Sequence, residues 1–517
     1  MSRLSRRGLL GLAGAAAVAG SLAGCQFLNG QTGQVLRSEA PLPKPFTVPL
    51  PIPPVKKPIR TDGATDYYEI VQREATAEIL PGLKTKIFGY DGVFPGPTIE
   101  ARSGRKISVR HRNDLPVPTA VHLHGGHTPA EHDGSAIDLC LPNDGWKPSV
   151  GHDGEPAMLG KLTTGERSYV YPSDQRAATL WYHDHRMDFT APQVYRGLAG
   201  FHLVRDDEEG ALSLPSGSRE IPLMITDRSF DADGTFLYPS SDASLRGEPG
   251  IAGAYMEGLL GDVVLVNGAP WPVLEVDSAR YRFRLLNASN ARRYRLMLNA
   301  GGKNVPFVQI GSDGGLLAQP SERTSIDLAA GERFDVVVDF SSFAVGTEVT
   351  LTNGFGEAPG TVNVMRFRVA KKVRDDARVP ARLSTVETLD PAKAVRTREW
   401  KFQRGNVGDH KGWRINQRSY DPRRVDADPK LGEIEIWRFV SDLHHPVHVH
   451  LDPFQVVSRR GKGPGDLDAG WKDTVDVKPT EIVDVAVRFS DYTGPYLMHC
   501  HNLEHEDMAM MATFQTT

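Results

Sequence analysis

Cysteine is scarce, with three in 517 residues. Cys25 and Cys500 each sit in a motif of their own, which leaves Cys140 without a partner for an internal disulfide. Net charge is nearly absent: 60 basic residues against 64 acidic ones give a formal −4 and a pI near 6.5, which argues against a nucleic-acid partner. The one long apolar run, Gly8–Gly24, is heavy in Gly and Ala. It falls short of the ~20 largely apolar residues a spanning helix needs. A Met-rich segment is also missing, since the eleven methionines are dispersed except over 508–511.

Histidine is what the chain has in quantity. Most of the seventeen fall in four short stretches: His122-Leu-His124, His183-Asp-His185, His445-Pro-Val-His448-Val-His450 and His499-Cys-His501. Neutral imidazole and thiolate are the ligands that copper and zinc prefer. On a β-strand, residues two apart face one side and adjacent residues face opposite sides. The pairs His122/His124, His183/His185, His448/His450 and His499/His501 can therefore lean toward one place. Cys500 and His445 have the other parity and aim elsewhere. Peptide bonds join Cys500 to both flanking ligands, which makes a route for electrons between two sites. His505 and Met510 follow Cys500 at steps of five. Two His, one Cys and a weak axial Met form the ligand set of an electron-transfer copper. A structural zinc would close with four ligands and has no use for the connection. Met508 and Met511 are rivals to Met510, less well spaced from Cys500.

A chain of this length suggests about three domains of ~150 residues. Short apolar runs such as Lys106–Arg110, Tyr281–Leu286, Phe334–Phe340 and Ile482–Phe489 alternate with turn residues, and 51 glycines and 37 prolines fit all-β sandwiches.

The four histidine motifs together resemble the multicopper oxidase family. Within it the chain most resembles the bacterial spore-coat laccase and bilirubin oxidase branch, on the stretches Phe94–Glu100, Val121–Gly126, Leu180–His185, Tyr281–Asn290, Gly311–Gly315 and Gly470–Thr474. The resemblance covers most of the chain and implies three cupredoxin-like Greek-key β-sandwich domains, which we place at 61–206, 216–371 and 392–517, with a Pro-rich tether or strap over 26–60. It implies four copper ions. His445, Cys500, His505 and Met510 would hold the type 1 copper, and His122 and His448 the type 2 copper. His124, His183, His185, His450, His499 and His501 would hold the type 3 pair. The middle third, with no ligand motif, would be a spacer and a wall on the substrate side. Asp133 and Glu506 stand where acids serve proton delivery in the resembled branch, and reduction of dioxygen to water consumes protons. Each could instead only orient an imidazole. Asp184 should face away and be structural. His111, His127, His132, His152, His202, His410 and His444 should be surface or locally bonded histidines.

The resemblance further implies a laccase-like enzyme. One-electron oxidation of phenolic or aromatic amine donors, docked near an exposed edge of His505, would be coupled to four-electron reduction of dioxygen to water. A cuprous or ferrous ion oxidase, a copper-binding lipoprotein and a two-domain nitrite reductase are the rivals. The tryptophan that bilirubin oxidases carry near the type 1 motif is missing from Val440–His444. Residues 1–25 read as an export signal. Arg3, Arg6 and Arg7 precede the weakly apolar run, Ser5–Leu10 resembles a twin-arginine signal, and Leu22–Cys25 resembles a lipobox. Lipidation of Cys25 would anchor the protein to the membrane at the cell envelope, with free secretion as the alternative. Cys140 should be a quiet buried thiol.

Overall fold

The structure, a computed structural model, describes residues 30–146, 160–407 and 410–517. The expected leader with its Arg pair and Cys25, and His152, lie outside the described residues, as does the side chain of His410. No helix among the described residues is long and apolar enough to cross a membrane.

Where a strand has one face to water, the sequence alternates. Ile434–Ser441 buries Glu435, Trp437, Phe439 and Ser441 and turns the residues between them outward. The larger sheets fall into three stacked pairs, each closing over its own core. The first sandwich pairs a five-stranded sheet around Thr65–Ala77 with a four-stranded sheet, whose order is Gly96–Arg102, Ala199–Arg205, Ala178–Asp184, Val121–His124. The second sandwich has seven and six strands. The third pairs a five-stranded sheet with a four-stranded one of order Thr474–Val477, His445–Val449, Gly494–Cys500, Met511–Thr516. These are three cupredoxin-like β-sandwiches, as expected. The stretch from Arg205 to Glu220 passes from the first to the second, and the stretch from Lys372 to Arg396 from the second to the third.

Three ligand-bearing strands break the alternation. Val121–His124, Ala178–Asp184 and His445–Val449 are buried at every residue, because both of their faces are covered. The Pro-rich segment is a strap from residue 30 onward rather than a tether. Gln34–Val35 adds in parallel to Leu259–Leu260, and the Leu50 amide donates to the Val273 carbonyl at 2.9 Å. The Thr98 amide donates to Pro54 at 2.8 Å, so the strap ties the second sandwich to the first. Proline has no amide hydrogen, so Leu50, Lys56 and other residues between the prolines supply the donors.

Candidate metal centre

Register places the histidines before any side chain is considered. In the first sandwich His122 lies opposite His183, and His124 opposite Trp181. In the third, His448 lies opposite His499 and Val447 opposite Cys500. The two strand pairs bring eight imidazoles together between the sandwiches. His122 stacks on His450 at a ring separation of 3.9 Å, and His124 on His448 at 3.6 Å. All eight are buried.

Their ring nitrogens are sorted. Nδ1 of His122 donates to the Asp133 carbonyl at 2.6 Å, that of His183 to Asp184 O at 2.8 Å, and that of His448 to Asp473 O at 2.9 Å. Nδ1 of His499 donates to Cys500 O at 3.1 Å, and that of His450 to the Asp133 carboxylate at 2.7 Å. Each of these bonds leaves Nε2 to face the centre. His124 is reversed: its Nε2 is 3.0 Å from Asp473 Oδ1 and 3.1 Å from Thr474 Oγ1, which turns Nδ1 inward. Buried ring nitrogens left without a hydrogen-bond partner include His124 Nδ1, His183 Nε2, His450 Nε2 and both nitrogens of His501. An unpaired buried polar atom costs about 1–3 kcal/mol. Several converging on one place suit a set of ligands.

The donor atoms group as His124/His183/His501, as His185/His450/His499 and as His122/His124/His448, those of each group lying within 4.8 Å of one another. The Nε2 atoms of His122 and His448 are 3.4 Å apart, and those of His185 and His499 are 3.2 Å apart. Burial, and then the neighbouring rings, hold the imidazoles of His122, His124, His185 and His448 well below the usual histidine range. They are therefore neutral and free to ligate.

The opposite face of the same sheet carries the second site. Cys500 Sγ lies 3.4 Å from His445 Nδ1 and 3.6 Å from His505 Nδ1, and the two nitrogens are 3.1 Å apart. A triangle of that size suits N and S donors with metal bonds of about 2.0–2.3 Å. Burial pushes the Cys500 thiol well above its ordinary range, so a metal must displace its proton. Met510 is buried in the same core as Cys500, and its carbonyl accepts from the Cys500 amide at 3.1 Å. Met511 packs in a separate cluster with Ala136 and Leu497, and Met508 is half-buried.

The expected open edge of His505 is not there. The ring is fully buried, with Trp413 stacked on it at 3.7 Å. Its Nε2 is 3.1 Å from the carbonyl of Glu257, which a turn of the second sandwich lays over it. Arg404 lies over Trp413 and pairs with the Glu257 side chain, closing the cover from outside. The other ring, His445, meets the Asp442 carboxylate at 2.9 Å, and that carboxylate is a third exposed.

The two acids lie against the cluster. Burial pushes the Asp133 carboxyl up to about 6, while His122 pulls it back. Glu506 is pushed up to about 8 by burial; its Oε2 is 3.2 Å from His499 Nδ1 without hydrogen-bond geometry. Asp184 accepts from the amides of Ala120 and Arg186, each at 3.1 Å, and points away from the cluster. His111 and His202 are buried rather than superficial. Both lie on inward-facing strand positions beside tyrosine rings, and burial holds them neutral, near 3. Cys140 is a buried thiol pushed up to about 11. Asp473 and Thr474, which touch His124, received no role from the sequence. The signal was the Gly470–Thr474 stretch itself, which pairs with the ligand strand at His448–Thr474.

Residues 385–517, and separately 72–155 and 149–209, match sequence models described as multicopper oxidase. The chain is 35% identical over 529 residues to a laccase of Bacillus subtilis (strain 168), covering 91% of this chain and 98% of that one. It is 36% identical over 504 residues to a bilirubin oxidase of Albifimbria verrucaria, covering 91% and 81%. Among solved structures, a laccase from Pediococcus acidilactici Pa5930 superposes with a TM-score of 0.79 at 30% identity, covering 94% and 96%.

Proposed function

This chain belongs to the multicopper oxidase family and is a copper oxidoreductase that uses dioxygen. From that premise we propose a laccase-type reaction in which phenolic or aromatic amine donors each lose one electron and dioxygen takes up four to become water. The observation that carries this reading is the division of one strand: Cys500 faces a three-ligand site while His499 and His501 face the histidine cluster.

Four copper ions fit the donor sets. His445, Cys500 and His505, with Met510 buried in the same core, would hold a type 1 ion. His122 and His448 would hold a type 2 ion, and His124/His183/His501 and His185/His450/His499 the type 3 pair. Bound copper supplies one-electron chemistry at the first site and reduction of dioxygen at the cluster. The protein does the rest. Its Cys500–His499 and Cys500–His501 peptides join the two sites covalently. The backbone carbonyls on the Nδ1 atoms fix ring tautomers, so little reorganisation accompanies a change of charge. Burial of all eight rings keeps bulky donors out of the cluster.

Asp133 holds His450 through Oδ2 and, with its carboxyl near 6, can take and return a proton at the unpartnered Oδ1 near neutral pH. Glu506, near 8, carries a proton at neutral pH beside His499 and His185. Donors reach the type 1 ligands through the cover of Glu257, Trp413 and Arg404 or beside Asp442. We place the mature protein at the cell envelope, exported by the 1–25 segment and held by lipidated Cys25; mass spectrometry of the amino terminus tests this.

The functional test is dioxygen uptake with a simple phenol by copper-loaded protein. Turnover near one dioxygen per four phenols oxidised is expected. A fully loaded protein that consumes no dioxygen with any phenol, diamine or metal ion contradicts the reading.

A further inference from the structure

Two of the stretches that carry the family resemblance, Gly311–Gly315 and Gly470–Thr474, contain no ligand. The structure interlocks them around one guanidinium from the middle sandwich. Arg333 is fully buried and uses all of its N–H groups. Its Nε donates to the Thr179 carbonyl of the first sandwich at 2.9 Å. One terminal nitrogen donates to Gly331 O at 3.0 Å and to Asp473 Oδ1 at 2.7 Å. The other donates to Asp313 O at 3.2 Å and to Asp473 Oδ2. Three sandwiches thus meet on one side chain.

Asp473 is the acceptor that reverses His124. Its Oδ1 takes the ring Nε2 and the Thr474 hydroxyl, while its backbone carbonyl takes His448 Nδ1. Asp313 backs this arrangement. Its carboxylate accepts the Arg333 amide at 2.8 Å and the Asp473 and Thr474 amides at 3.3 Å, and lies 3.0 Å from Lys472 Nζ. The turn before Arg333 is itself a wall of the cluster. A Cβ on Gly331, at φ +85°, would sit 3.0 Å from the His501 ring and 3.2 Å from His124.

We propose that Arg333 is a positioning residue for the histidine cluster, acting through Asp473 to fix the tautomer and orientation of His124 and the orientation of His448. The inference rests on the oxidase reading above and gives the middle sandwich a part in the metal centre. A bidentate guanidinium–carboxylate pair fixes an angle as well as a distance. Lysine, a point charge, replaces the charge but not the angle.

The test uses full-length Arg333→Lys and Arg333→Gln, loaded with copper and compared with wild type. Copper content, the type 2 electron paramagnetic signal, the near-ultraviolet shoulder of the coupled pair and the blue band are read together. The blue band reports folding of the third sandwich, since its ligands do not touch Arg333. The expected result is an unchanged blue band with an altered type 2 signal and a weakened shoulder in both variants. Dioxygen turnover should fall by about 10–100-fold, as outer-sphere partners of metal ligands typically require. Variants indistinguishable from wild type in signal and shoulder overturn the proposal. So does parallel loss of blue band and shoulder in both variants, which assigns Arg333 a general structural role. A wild-type protein with neither band after loading contradicts the oxidase reading and this inference with it.

Discussion

The two faces of the Gly494–Cys500 strand are closed in different ways. On the cluster face the main chain holds the rings: four of the eight imidazoles donate to backbone carbonyls, and the first and third sandwiches supply every ligand. On the Cys500 face the ligands come from the third sandwich alone. The cover there is largely side chains, with Trp413 against the ring and Arg404 clasping Glu257. Backbone-held rings tolerate little variation, whereas a side-chain cover can change without disturbing the ligands. Dioxygen chemistry is therefore written in the motifs, and donor choice is written outside them.

The largest expected effect severs the two faces. Cys500→Ser should abolish the blue band and reduce donor oxidation to background, while the near-ultraviolet shoulder persists; absorption spectra and oxygen uptake check both. On the cluster side, Asp133→Asn should lower dioxygen turnover by about 100-fold or more. It should also remove the fall in turnover that wild type shows as pH rises through about 6 and the proton-delivering carboxyl ionises, while copper content stays full. A variant that merely loses copper would show that Asp133 holds His450 and nothing else. On the donor side, Arg404→Ala should open the clasp. The KM of a bulky phenol should drop severalfold, with kcat for a small donor and the blue band unchanged. Equal effects on large and small donors would show that the cover plays no part in selection.

The smallest effect concerns the seam between the sandwiches. Burial lowers the affinity of His127 for its proton, but the Asp452 and Asp491 carboxylates on either side outweigh it and raise the group to about 8. A raised folded value means that the stabilisation is whole below the unfolded value of about 6.5 and is lost as pH rises through about 8. His127→Gln should cost about 1 kcal/mol at pH 6, a figure discounted for the half-exposed Asp491. Melting curves of wild type and variant should converge by pH 9.

Much of this was legible in the sequence, because the cluster is built from strand parity and parity is local. His122 and His124, or His499 and Cys500, reveal their faces without any knowledge of the fold. Contacts between sandwiches are another matter. Nothing near His505 announces that Glu257, some 250 residues earlier, lays a carbonyl across it. The ring therefore read as open when it is covered. Asp473 sat in a recognised stretch, but its partner Arg333 lies 140 residues away in the sandwich that carries no ligand. Burial of His111 and His202 was equally hidden: His111 falls on the core face of an alternating strand and His202 on a strand covered on both faces, and an isolated histidine signals neither.

Anomalous diffraction from copper-loaded crystals tests the central claim most directly. The account predicts one ion enclosed by His445, Cys500 and His505 and three more among the eight histidines between the first and third sandwiches. A single ion bridging Cys500 to His499 or His501 would contradict it.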